Sequence, residues 1–292
     1  MSMVVAERAG VSGRIGGEIR LTGRFLRYDL FTGVVPPLCM TIGVAVSSGR
    51  TERIVLAVPY FLLYLYGFVV GNQLAGEAED RINKPDRPLV RGLVSRRGAW
   101  IRLIVAESAF LAYGLWLGVG VWAAVWVAVT VLHNQFHWAW HWCGKDLIMG
   151  IGTFVQLAAA WEIVRPLDGT GWLWCTTFGL VMTVLVPLQD LRDQPGDAAV
   201  GRRTFPLVFG DRATRWFVAV GFSLLPAATA VTIYREASHP VAGLGIQAVA
   251  LAICGAIAVR VITLRRSLQD HLTYRMFGYW YTWTLACSFL VL

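Results

Sequence analysis

Mostly apolar residues recur along the chain in nine blocks, near residues 26–48, 53–74, 98–117, 119–141, 146–164, 170–190, 213–233, 241–262 and 272–292. At about 1.5 Å of rise per residue, each block is long enough as a helix to cross a hydrocarbon core of about 30 Å. The apolar positions are continuous and do not alternate, which excludes a transmembrane β-barrel. The pattern predicts an all-α, polytopic membrane protein: a cytoplasmic N-terminal segment over residues 1–25, then a single transmembrane domain of nine helices over 26–292.

Composition agrees with this reading. The chain is 56% hydrophobic and only 15% charged, against about 25% charged residues in soluble domains, so neither a water-soluble globule nor a disordered chain is expected. Of the 26 Lys and Arg residues, 22 fall on the side of the N-terminus and only Arg50, Arg53, Arg165 and Arg235 on the other. By the positive-inside rule, the N-terminus and the 22-residue side are cytoplasmic. Topology and anionic lipid headgroups then account for the net charge of +8, and nucleic acid is not an expected partner. Residues 1–24 carry Arg8, Arg14, Arg20 and Arg24 with no apolar core, so a cleavable signal is not expected and the first transmembrane helix would direct insertion. The five cysteines show no CxxC or metal spacing and read as packing residues.

Topology does not account for the acids that share two of the cytoplasmic loops. Asn72, Gly76, Asp80 and Asn83 fall at i, i+4, i+8 and i+11 and share one helix face if the second block continues helically; Asp190, Asp193 and Asp197, at i, i+3 and i+7, do the same at the end of the sixth. Carboxylates held together away from bulk water repel one another unless a cation neutralises them. Oxygen ligands beside bases suit Mg²⁺ bridging to a phosphorylated substrate. Lys84, Arg87, Arg91, Lys145, Arg202 and Arg203 are placed to hold phosphate oxygens. The two clusters thus predict a diphosphate site at the mouth of an apolar bundle, facing the cytoplasm.

Below Asn72 at helical intervals lie Phe68, Tyr64 and Phe61, while Phe136 and Trp138 stand near the end of the fourth block. Aromatic faces stabilise cations where water is excluded, and such a lining suits a carbocation; an ordinary interfacial aromatic belt is the competing explanation. His133, His137 and His141 fall at i, i+4 and i+8 and are expected to be neutral histidines bonded to neighbours rather than a transition-metal face. Glu107, the one acid of the third block, is left open between a structural hydrogen bond and the polar cavity.

The run from Asn72 to Pro88, ending Asn83-Lys84-Pro85-Asp86-Arg87-Pro88, and the run Asp190-Leu191-Arg192-Asp193-Gln194-Pro195-Gly196-Asp197, followed by Gly201-Arg202-Arg203-Thr204-Phe205-Pro206, closely resemble the two signatures of the UbiA-type intramembrane prenyltransferase superfamily. The resemblance covers the whole nine-block layout. It implies a bundle with a central cavity, two or more Mg²⁺ ions, and an isoprenyl diphosphate whose diphosphate binds them. It also implies Asn72, Asp80, Asp190, Asp193 and Asp197 as ligands and a diphosphate contact from Lys145. Prenyltransferases of the superfamily read Asn-x-x-x-Asp-x-x-x-Asp in the first signature, whereas this chain has Gly76 at the central position, with Glu79 near the same face. Gly or Ala there resembles the terpene-cyclase branch, in which no acceptor enters and the chain's own alkenes capture the allylic cation. The expected protein is therefore an integral protein of the bacterial cytoplasmic membrane that cyclises farnesyl or geranylgeranyl diphosphate. A prenyltransferase acting on an aromatic or lipid acceptor is the alternative, and a transporter is disfavoured because the charged clusters lie at helix ends.

Overall fold

A computed structural model describes residues 11–235 and 240–292; residues 1–10, which include Arg8 of the expected N-terminal segment, lie outside them. Each of the nine apolar blocks contains a helix: α2 (Leu30–Ser48), α3 (Ile54–Ala75), α5 (Arg96–Trp116), α6 (Gly120–Asn134), α7 (Trp142–Glu162), α8 (Gly169–Leu185), α11 (Asp211–Val231), α12 (Pro240–Thr263) and α13 (Ser267–Ala286). Four further helices, α1 (Val11–Leu26), α4 (Glu77–Asn83), α9 (Pro187–Ala199) and α10 (Phe205–Phe209), complete an all-α fold, and no strand occurs among the described residues.

Six helical stretches are long and apolar enough to cross a membrane: Leu30–Ser48, Thr51–Ala75, Arg96–Trp116, Gly169–Ala199, Asp211–Val231 and Gly243–Thr263. Of the other three blocks, α6 is apolar but shorter, and α7 and α13 carry ionisable residues inside the bundle, Lys145 and Asp146 on one and Asp270 on the other. Large apolar side chains stand exposed along the outer helices, with Ile104 at 62%, Leu224 at 62% and Leu251 at 58%. A surface of that kind aggregates in water and is at home in lipid.

Inside, the helices approach closely where side chains are small. A Cβ on Gly150 of α7 would lie 2.7 Å from the Gly179 carbonyl of α8, so only glycine permits this crossing. Arg215 of α11 donates from both terminal nitrogens to the Asp270 carboxylate of α13, at 2.7 and 2.8 Å, and ties the C-terminal helices together. The helices α2, α3, α6, α7, α8 and α13 surround a central cavity.

Two boundaries differ from the sequence expectation. Residues 11–25, expected to be part of an N-terminal segment, belong to the helix α1, tied by the Glu18 carboxylate to Arg102 of α5. The fourth block was expected to run to residue 141, but its helix stops at Asn134. His137 then adopts a left-handed backbone (φ 60), and the following turn is clipped to the loop after α9: Arg203 N donates to Trp140 O at 2.7 Å and Trp142 N to Arg203 O at 2.8 Å. With the helix broken, His133, His137 and His141 do not share a face; His141 instead caps α7.

Candidate active site

Two helical elbows build the site. After α3, the chain bends at Gly76 and continues as α4, with Gly76 N donating to Asn72 O and Asp80 N to Gly76 O, so the second block does extend helically with one kink. After α8, the chain bends at Val186 and restarts at Pro187, whose missing N–H is no loss at the first helical position. One residue fastens the two elbows together. Asn83 of α4 donates from Nδ2 to Asp193 O (3.1 Å) and accepts from Gly196 N (3.2 Å) on α9. A Cβ on Gly196 would lie 2.3 Å from the Asn83 amide nitrogen, so the approach requires glycine.

The acids at the elbows are buried and paired. Asp190 accepts from Lys145 Nζ and from Phe205 N at 3.4 Å; Asp193 pairs with Arg192 Nε at 3.3 Å; Asp197 Oδ1 pairs with Arg202 Nη1 at 3.2 Å. The same Arg202 nitrogen meets Glu79, so Arg202 joins the first acidic run to the second. Asp80 turns the other way and takes both oxygens to Arg87 Nη1, at 2.9 and 2.7 Å. Burial pushes the Asp80 carboxyl up from its ordinary range, against the pull of Arg87.

Two adjoining chambers meet this cluster. The outer measures about 900 Å³ and the inner about 190 Å³, and the tighter one is walled by aromatic rings. They share Asp29, Thr32, Lys84, Asp193 and Tyr274 as common walls. Asn72, Glu79, Arg87, Lys145 and Arg202 also line the inner chamber, and Lys84 makes no ion pair among the described residues. Beyond these charged groups, Phe68, Trp126 and Tyr64 form a continuous aromatic wall, with Tyr64 and Trp126 stacked at 4.2 Å and 10°. Hydrogen bonds lock it: Tyr64 Oη donates to Gly152 O (2.9 Å) and Trp126 Nε1 to Tyr64 O (3.2 Å). Phe277 and Tyr281 of α13 face it from the other side.

Of the residues singled out from sequence, Asn72, Lys84, Arg87, Lys145, Asp193, Arg202, Tyr64 and Phe68 come together on the inner chamber. Asp80, Asp190 and Asp197 lie one layer behind its wall, fully buried against the bases that line it. Four others are corrected. Phe61 is wholly buried, edge-on to Tyr60, and lines neither chamber. Phe136 and Trp138 are 66% and 43% exposed, because the helix that would have carried them inward ends at Asn134. Arg203 is exposed and acts through its backbone in the clip to Trp140 and Trp142. The sequence does not single out Trp126 or the bridging role of Arg202, although Trp126 lies two helical turns before His133 and so shares its face.

The group expected here is Mg²⁺; among the described residues no three His, Cys, Asp or Glu side chains already converge as a metal cage, but the donor chemistry fits the ion. The donors are carboxylate and amide oxygens, and Asp197 Oδ2 is buried without a hydrogen-bond partner, an unusual state for a carboxylate oxygen unless a cation or donor completes it.

Comparison with known proteins agrees with the site. The profile of the UbiA prenyltransferase family matches residues 34–283. The chain is 40% identical to Somaliensene A/B synthase of Streptomyces somaliensis, over 100% of this chain and 99% of that one. It is 31% identical to Diterpene cyclase eriG of Hericium erinaceus, over 93% of this chain and 88% of that one. Its fold is similar to that of a UbiA homolog from Archaeoglobus fulgidus bound to GPP and Mg²⁺, with a TM-score of 0.71, 14% identity, and 91% and 99% of the two chains covered. The elbows, their acids and bases, and a match spanning nearly the whole bundle place this chain in the UbiA prenyltransferase family.

Proposed function

We propose that the protein is a membrane-embedded, Mg²⁺-dependent terpene cyclase. It ionises a linear isoprenyl diphosphate, farnesyl or geranylgeranyl diphosphate, and closes the cation on the chain's own double bonds with release of diphosphate. The observation that carries this reading is the division of the inner chamber into a charged end, with Asn72, Lys84, Arg87, Lys145, Asp193 and Arg202, and an aromatic end, with Tyr64, Phe68 and Trp126. Two relatives named as a synthase and a cyclase, aligned over most or all of the chain, support the same reading.

Lys84, Arg87, Lys145 and Arg202 hold the diphosphate oxygens, and Asn72, Asp80, Asp190, Asp193 and Asp197 are the proposed oxygen ligands. Bound Mg²⁺ would supply positive charge on the diphosphate as the carbon–oxygen bond breaks. The protein's own contributions are a charged end organised before substrate arrives, aromatic faces toward the developing cation, and a wall that keeps water out. Gly76 supports cyclisation over transfer. A Cβ at that position would lie 3.5 Å from both Arg202 Nη2 and Glu79 Oε2, so the carboxylate that transferases carry would project into the Glu79–Arg202 pair. In this chain Glu79 occupies that ground.

In the membrane, all nine blocks span the bilayer, with the N-terminus and both elbows on the cytoplasmic side, a reading that rests on the one-sided distribution of Lys and Arg. The test is incubation of the purified protein in detergent with Mg²⁺ and farnesyl or geranylgeranyl diphosphate, with no acceptor, and analysis of the extract by gas chromatography with mass detection. A cyclic product formed with diphosphate release and lost on chelation is expected. Consumption of substrate only when an aromatic or lipid acceptor is supplied would overturn the reading in favour of prenyl transfer.

A further inference from the structure

Cyclisation has to end with loss of a proton, either from a carbon beside the final cation or from a water that captures it. The group that takes this proton has to reach the chamber, carry a free lone pair, and not already be committed to an ion pair. The carboxylates on the chamber wall fail the last condition: Asp29 lies 3.7 Å from Arg87, Asp193 lies 3.3 Å from Arg192, and Glu79 is paired with Arg202. The Gln156 amide is a poor base, and it donates to Gly33 O at 2.7 Å.

His133 meets all three conditions. It lies in the last turn of α6, is 5% exposed and lines the inner chamber. Its ring packs against Phe68 at 5.5 Å, which extends the Tyr64–Trp126–Phe68 wall to the edge of the charged end, where a cation would first form. Its Nδ1 is 2.9 Å from Asn134 Oδ1. An amide oxygen only accepts, so Nδ1 carries the hydrogen, and Nε2 is left with its lone pair and no hydrogen bond to the described protein. Asn134 is 2% exposed and packs closely against Gly71, while its own amide nitrogen is buried with no hydrogen-bond partner among the described residues.

We propose that His133 is the catalytic base that ends the cyclisation, with Asn134 as the positioning residue that fixes its tautomer; this rests on the cyclase reading above. In the alkene ending, a C–H bond beside the cation breaks, its electron pair becomes the new π bond, and the proton goes to His133 Nε2. In the capture ending, a water lone pair forms the C–O bond and the water proton goes to Nε2. The imidazolium then passes its proton to the released diphosphate, so the net products are the terpene and hydrogen diphosphate.

The experiment compares the unmodified protein with His133→Gln and Asn134→Leu in detergent, with Mg²⁺ and the same prenyl diphosphates, measuring both diphosphate release and product composition. Ionisation precedes the proton loss, so His133→Gln is expected to keep diphosphate release within about threefold while the share of the normal product falls at least about tenfold in favour of other alkenes or alcohols. Asn134→Leu, which keeps the imidazole but frees its tautomer, is expected to shift composition the same way by less. An unchanged composition in His133→Gln would overturn the proposal and leave diphosphate as the base. A parallel fall in release and product at constant composition would also overturn it, because that is the signature of a merely structural histidine. If the unmodified protein makes no cyclic product, the cyclase reading itself falls, and the first arm alone shows it.

Discussion

The two elbows have the same outline and different chemistry. Each is a long apolar helix that kinks at its end into a short acidic one, α3 into α4 at Gly76 and α8 into α9 at Val186. On α9, Asp190, Asp193 and Asp197 follow one face, all buried, each with its own base. On α4, the buried acids Glu79 and Asp80 are adjacent in sequence and therefore point apart, one across to Arg202 and the other into its own loop at Arg87. The second elbow carries a full set of acids, whereas the first has a gap at Gly76 and uses an arginine borrowed from beyond the second elbow to neutralise Glu79. The site is therefore asymmetric, and its two halves should respond differently to substitution.

The largest effect is expected on the complete side. Asp193→Asn should lower diphosphate release at least about 100-fold, the range seen when a group acting on the transition state is removed. Its neighbour Arg192 keeps other partners, the Tyr274 ring at 4.4 Å and His271 at 3.0 Å, so thermal stability in detergent should hold. Asp190→Asn should lose activity to the same degree and stability as well, because it strips the buried Lys145 of its partner; breaking such a pair costs about 3–5 kcal/mol. Activity retained at more than about a third in both variants would show that the second elbow does not bind the diphosphate.

On the incomplete side the effect should be smaller and should depend on direction. Glu79→Gln is expected to reduce turnover about tenfold, because Arg202 loses one of its two acids and the chamber loses a carboxylate. Glu77→Gln, two residues earlier on the same helix, should change turnover less than about twofold, since Glu77 faces Arg81 and Arg96 on the outside. Equal effects in a steady-state assay would mean that the split between α4 faces has no catalytic meaning.

The helical blocks and the shared face of Asp190, Asp193 and Asp197 are legible in the sequence because each depends on local spacing alone, whereas the kink at Gly76 and the pull of Arg87 turn Asp80 away from Asn72. Phe136 and Trp138 were misplaced for a non-local reason: the clip between Trp140, Trp142 and Arg203 ends α6 early, and nothing within the fourth block signals it. The pairing of Arg202 with both elbows is likewise a property of how α4 and α9 meet. Asn83 fell on the ligand face by spacing, yet its amide is spent on the α9 backbone, which only the packed pair reveals.

That packing can be tested directly. Gly196→Ala places a methyl 2.3 Å from the Asn83 amide and should cost about 1–3 kcal/mol, the usual penalty of overpacking. Asn83→Ala removes two cross-helix hydrogen bonds and should cost about 1–3 kcal/mol by itself. The double variant should be more stable than the sum of the two, because the methyl then occupies the space the amide left. Additive losses in a thermal unfolding cycle would mean that Asn83 does not fasten the elbows.

A smaller effect than that of Glu79→Gln is expected from filling the gap itself. Gly76 has φ −105, so its backbone does not require glycine, and a Cβ there meets Asn72 O at 3.1 Å with its other neighbours at ordinary contact. Gly76→Asp should therefore fold with a loss of about 1 kcal/mol or less. Its carboxylate would lie beside Glu79 and compete with it for Arg202, and two like charges at one base disfavour each other. Cyclic product should fall by about threefold in Gly76→Asp, less than in Glu79→Gln, because a carboxylate remains at Arg202 in either arrangement. The double variant Gly76→Asp with Glu79→Gln moves that carboxylate from position 79 to position 76 at constant charge. Recovery of cyclisation in the double variant would show that the two positions share one role and that the first elbow is incomplete in name only. Failure to recover, with diphosphate still released and acyclic alcohol appearing in place of the ring, would show that the acid must approach from position 79 for the chain to fold back on itself.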